Sequence, residues 1–284
     1  MSSIEGRRTW GRAPSGVRAI RGTPRLRVVA GVLLGTNILL QMAFPFTAGG
    51  TLAMTTISVF LLAGAALTDA AASVGVRAAV ALLAVAGGGG LLAEAVGVRT
   101  GYPFGGYDYT GTLGAEVIGV PVVVPLAWVM MSWPALVVAR RLVGGRARWA
   151  TALVGAWALT SWDVFLDPQM VDLGYWQWDR PSPALPGVEG IPLTNFAGWF
   201  VVSLLMVTIL DRLVPRDPRP PTLRTDAVPV TAYLWTYFSS VIAHAVFFGR
   251  PPVALVGGVV MGIVAVPLAI SVFREVREVR GARA

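Results

Sequence analysis

The chain has no cysteine and no lysine, and its one histidine is His244. Without cysteine there is no disulfide, no thiolate nucleophile and no cysteine-held metal or iron–sulfur site. With one imidazole, a zinc or copper centre built on several histidines is excluded as well, although carboxylates remain able to hold a hard cation. Charge is also scarce. Charged residues make up 13% of the chain against 55% hydrophobic, and the mean hydropathy is +0.67, well above that of a soluble globular domain. This composition is that of a polytopic membrane protein.

What is present falls into long apolar runs. Stretches of about twenty apolar residues suit the hydrocarbon core, and eight of them lie near 28–46, 52–72, 77–97, 117–139, 149–168, 196–214, 229–247 and 252–272. All 23 basic residues are arginine, and eight spans place all but Arg99, Arg180 and Arg250 on one side. By the positive-inside rule that side, with both termini, is cytoplasmic. The expected fold is therefore an all-α, polytopic transmembrane helix bundle of about eight spans in the cell membrane. Residues 1–27 read as a disordered basic tail, 28–273 as one transmembrane domain and 274–284 as a short basic tail. The net charge of +8 follows from this topology, so nucleic acid is not an expected partner.

Carboxylates gather where one apolar run ends. The segment from Asp163 to Asp179, DVFLDPQMVDLGYWQWD, holds four aspartates and two tryptophans. Asp163 and Asp167 are four apart and share a face if helical; an acid within a membrane span is a functional candidate by default. For Asp167 the competing reading is a helix-ending Asp-Pro turn. Glu94, near the outer end of the third run and just after the glycines at 87–90, is a further candidate. Glu116 reads as a dipole-complementing start to the fourth span, Asn195 as the cap of the sixth or as a ligand-orienting amide, and His244 as a hydrogen-bonded packing residue. Two loops on the same side carry YPFGGYDY at 102–109 and GYWQWD at 174–179. Their aromatics suit an interfacial belt and equally the rim of a pocket.

Four ordered blocks carry a family resemblance: FGGYDYTGTLGAEVIGVPVVVPLAW at 104–128, DxxxDP at 163–168, GYWQW at 174–178 and GIPLTNFAGWF at 190–200. Together they resemble the carotenoid biosynthesis membrane proteins of the CruF type, the carotenoid hydratases that include the bisanhydrobacterioruberin hydratases. The resemblance implies addition of water to the terminal isopropylidene double bond of an acyclic carotenoid end group, giving a tertiary alcohol with no cofactor. Substrate would arrive sideways from the bilayer, with lipid and other carotenoid-pathway enzymes as partners.

That chemistry needs a strong acid, shelter for a tertiary cation and one water. A carboxyl group removed from water favours its protonated form and can act as general acid. On these grounds Asp163, the deeper of the pair, is expected to donate the proton, with Asp167 its partner or the water-orienting base and Glu94 a further catalytic acid. Tyr107, Tyr109, Trp128, Trp176, Trp178, Asn195 and Trp199 are the expected substrate-binding residues, the aromatics also stabilising positive charge through their faces. A carotenoid cyclase begins with the same protonation and differs by excluding water. A prenyltransferase would need a second aspartate-rich cluster and a nearby basic residue for diphosphate. A transporter would show repeated halves with broken helices, and no repeat is visible.

Overall fold

The computed structural model describes residues 23–282 except 48–49, 145–146 and 218. Most of the tail expected at 1–27 lies outside these residues. Eight helices form an up-and-down bundle: α1 Pro24–Met42, α2 Leu52–Ser73, α3 Val76–Thr100, α4 Val123–Val143, α5 Arg148–Asp172, α6 Leu193–Leu213, α7 Leu223–Phe247 and α8 Pro251–Gly281. Seven of them are long and apolar enough to cross a membrane. The exception is α5, whose 25 residues would reach ~37 Å but whose sequence is more polar. It sits in the bundle between α4, α6 and α8. The chain is thus an all-α polytopic membrane protein.

Helix boundaries differ from the apolar runs where local chemistry overrides hydropathy. The run at 117–139 was expected to be helical from its start, but Glu116–Val117 (β2) pairs with Val120–Pro121 (β3) in a tight hairpin. Gly119 and Ile118 take left-handed φ values of 82° and 49°, and a right-handed helix cannot pass through such residues. Glu116 is accordingly an exposed hairpin residue, not the first turn of a span. In α5 the departure is the opposite: the apolar run stops near 168 and a helix-ending Asp-Pro turn was the competing reading for Asp167, yet the helix continues to Asp172. Proline removes one backbone hydrogen bond, but the flanking turns remain packed in protein. At the ends of the described residues α1 begins at Pro24 and α8 runs on past 273 to Gly281.

One end of the bundle is fastened by arginines. Asp211, buried at the end of α6, receives Arg140, Arg148 and Arg216 at 2.9, 3.2 and 2.8 Å, which closes the α4–α5 and α6–α7 connections onto each other. Arg141 bonds Glu275 of α8 at 2.5 Å. The opposite end is covered by the two long loops, joined by an antiparallel ladder of Tyr107–Tyr109 (β1) with Trp176–Trp178 (β4). A second hairpin, Ala184–Leu185 (β5) with Val188–Pro192 (β6), leads into α6.

Small residues permit the closest approaches. A Cβ on Gly198 of α6 would lie 2.6 Å from the carbonyl oxygen of Pro103, so the first long loop settles directly on that helix. In the run at 87–90, a Cβ on Gly90 would lie 2.6 Å from the Trp128 ring, whereas one on Gly88 would meet nothing within 4 Å. The run therefore makes room for an indole of the protein. Gly90→Ala is expected to cost about 1–3 kcal/mol as an overpacking change, and Gly88→Ala to be neutral. Thermal unfolding in detergent of the two variants checks this; equal melting would contradict the packing assigned to Gly90.

Candidate active site

The ladder between β1 and β4 determines which side chains face inward. Its register pairs Tyr107 with Trp178, Asp108 with Gln177 and Tyr109 with Trp176. Since side chains alternate along a strand, the four aromatics share one face, over the bundle, while Asp108 and Gln177 are exposed on the other. Ring centroids lie 5.8 Å apart for Tyr107 and Trp178 and 6.0 Å for Tyr109 and Trp176. Beneath them Trp128 of α4 stacks on Trp199 of α6, centroids 3.8 Å apart and planes within 13°.

These rings enclose a cavity of about 70 Å³ whose wall also contains Glu94, Asp167 and Asn195. Glu94 accepts hydrogen bonds from three side chains: the Tyr107 hydroxyl, the Tyr109 hydroxyl at 2.9 Å and Trp128 Nε1 at 3.0 Å. Burial, reinforced by the nearby Glu94, holds both phenols well above the usual tyrosine range. They are therefore neutral donors across the accessible pH range. All of Glu94's hydrogen-bond neighbours donate, an arrangement suited to a carboxylate anion.

Asp163 and Asp167 stand one turn apart on α5, both buried. Asn195 Nδ2 bridges them, at 2.8 Å from Asp163 Oδ2 and 2.5 Å from Asp167 Oδ2, while Trp176 Nε1 donates to Asp167 Oδ1 at 3.2 Å. Asn195 lies within the first turn of α6, whose cap is Pro192. Its amide is engaged with the acids and not with its own backbone, contrary to the capping alternative.

The sequence-expected residues Glu94, Tyr107, Tyr109, Trp128, Asp167, Trp176, Trp178, Asn195 and Trp199 all line this one cavity. Asp163 does not. It lies behind Asp167, and its Oδ1 has no hydrogen-bond partner. The shallower aspartate thus reaches the cavity, while the deeper one, expected to be the donor, does not and is hydrogen-bonded by Asn195. Residues missed in the sequence include Thr55 and Val59 of α2, Phe104, and Met130 of α4. Phe104 sits inside the FGGYDY block, but nothing in the local sequence marks the α2 and α4 residues.

A second, larger cavity of about 410 Å³ adjoins the first, between α1, α2, α4, α5 and α7. Thr55, Val59, Met130, Leu166 and Met170 line both. Aromatic and aliphatic side chains dominate its wall, including Phe46, Phe238 and Phe247, which are exposed on the bundle's outer surface. His244 lines it too, buried and against Phe165 and Phe248. Among the described residues, no group of three His, Asp or Glu side chains is arranged to hold a metal ion.

Fold and site together define a membrane protein that buries an amide-bridged pair of carboxyl groups beside an apolar chamber. The chain belongs to the carotenoid biosynthesis protein family, whose model matches residues 50–265. It is similar to the bisanhydrobacterioruberin hydratase of Haloarcula japonica, with 32% identity over 121 residues, 42% of this chain and 40% of that protein. The match thus spans less than half of the relative's length. No solved structure matches the chain.

Because the Tyr107 hydroxyl donates to Glu94, Tyr107→Phe should cost about 1.5–3 kcal/mol, the range for a hydrogen bond to a charged group. Asp108→Asn, on the exposed face of the same strand, should change little. Melting temperatures of the two variants in detergent decide; a silent Tyr107→Phe would show that Glu94 does not depend on this donor.

Proposed function

We propose that this protein is a membrane-embedded carotenoid hydratase that adds water to the terminal isopropylidene double bond of an acyclic carotenoid. The observation that carries this reading is the Asn195-bridged pair of Asp163 and Asp167, of which Asp167 and Asn195 line a small aromatic cavity that adjoins a larger apolar one. The hydratase name of the Haloarcula relative supports it. The small cavity accommodates an end group, and a polyene about as long as the hydrocarbon core is thick, ~30 Å, would extend through the large cavity toward the bilayer.

In this mechanism Asp167, which faces the cavity, gives its proton to the less substituted carbon of the double bond. The π electrons form the new C–H bond, and positive charge develops at the tertiary carbon. The Trp128–Trp199 stack and the Glu94 carboxylate stabilise that charge. A water oxygen then forms the C–O bond and its surplus proton passes to the aspartate pair, so both acids return to their starting state. Asp163 acts as a positioning residue: it shares the proton with Asp167 and is held in register by Asn195. No cofactor is required by this balance.

Expression in a lycopene-producing host with mass spectrometry of the pigments tests the reading. A gain of one water per reacted end is the expected result. An isomer of unchanged mass would replace hydration with cyclisation, and unchanged pigment would reject both. Asp167→Asn should lower turnover by about 10²–10⁴-fold, the range for loss of a general acid, while Asp163→Asn should lower it less. Near-normal turnover in Asp167→Asn would remove this residue as donor.

A further inference from the structure

Two hydroxyls in this bundle show how a helical threonine ordinarily satisfies itself. Thr236 Oγ1 donates to the Ala232 carbonyl at 2.8 Å and Thr100 Oγ1 to the Val96 carbonyl at 2.7 Å, each one turn back. Thr55, in the first turn of α2, departs from this pattern. The carbonyl one turn back, that of Thr51, is engaged only by the Thr55 amide at 2.9 Å. Thr55 Oγ1 is buried and has no hydrogen-bond partner. A buried hydroxyl without a partner costs roughly 1–3 kcal/mol, so its position requires a reason.

Its location supplies one. Of the five side chains common to the small acid cavity and the large apolar one, Thr55 alone is polar. Ser132, Thr160 and Ser203 also lack partners, but they line neither cavity. Thr55 therefore stands at the neck where an olefin end would pass, on the same cavity wall as Asp167 and Glu94. A hydroxyl both donates and accepts, which is what a water molecule needs from a holder that must also let its oxygen lone pair point at the substrate.

From this placement we infer that Thr55 holds the attacking water, and so decides whether the cation is captured by oxygen or collapses back to an alkene. The inference rests on the hydratase reading above. The steps balance. Asp167 delivers a proton and the tertiary cation forms. With water held at Thr55, its oxygen forms the C–O bond and releases one proton to the aspartate pair. Without it, the cation loses a proton from a neighbouring carbon to the same pair and an alkene of unchanged mass is regenerated. In D₂O the second course leaves deuterium in the recovered polyene, because the acid that protonates it is deuterated.

The test uses membranes containing the full-length protein, supplied with lycopene in D₂O buffer, with mass spectrometry of hydrate and recovered polyene. Thr55→Val keeps the branched shape and removes the hydroxyl; it should form at least ten-fold less hydrate while still placing deuterium in the polyene. Thr55→Ser keeps the hydroxyl and should form hydrate within about three-fold of wild type. Wild-type hydration in Thr55→Val, loss of deuterium uptake together with hydrate in that variant, or failure of Thr55→Ser would each overturn the role of Thr55. If the wild-type protein forms no hydrate, the hydratase reading fails as well, and that result is seen before any variant is compared.

Discussion

Two carboxyl groups one helical turn apart, withdrawn from water and bridged by a single amide, are the constraint around which the site is arranged. Asp163 and Asp167 could not be buried side by side as independent anions, since each charge would lose its hydration and face the other at short range. The Asn195 amide meets both, donating to each carboxyl group from one nitrogen. It also couples α5 to the first turn of α6. The turn of α6 that carries Asn195 is reached through the Ala184–Pro192 hairpin, so the position of the bridge depends on the geometry of the second long loop.

The aromatic roof follows from strand periodicity. Two loops that are far apart in sequence meet in a three-residue ladder, and alternation places two tyrosines and two tryptophans on its inner face. Glu94 then draws both tyrosine hydroxyls and the Trp128 indole toward one carboxylate, tying the roof to α3 and α4. At the far end of the bundle the arginines around Asp211 perform a purely architectural task. Charge is thus used in two ways: in ion pairs that clamp helices at one end, and in acids surrounded by aromatic donors at the other.

Much of this was legible in the sequence because hydropathy and helix spacing are local properties. Eight apolar runs correspond to eight helices, and Glu94, Asp167, Asn195 and the six expected aromatics line one cavity, whereas Asp163 does not. Three features were not legible. The hairpin at 116–121 is apolar throughout its turn, so composition imitates a helix where Gly119 forbids one. The continuation of α5 through Pro168 depends on neighbours that hold the turn despite a missing hydrogen bond. The depth order of Asp163 and Asp167 relative to the cavity depends on how α5 is rotated in the bundle, which a four-residue spacing does not specify. Thr55 and Met130 were invisible for the same reason, since their importance arises only where α2 and α4 meet α5.

The modest hydropathy of α5 has a consequence for how this protein is made. A segment carrying three aspartates near one end, and lacking the apolar character of the other seven helices, is a poor candidate for leaving the translocon alone. Its acids acquire their amide partner only once α6 has been synthesised, and Arg148 at its other end finds Asp211 on that same helix. Insertion of α5 is therefore a cooperative event with its successor, and this segment enters the lipid phase as half of a helical hairpin.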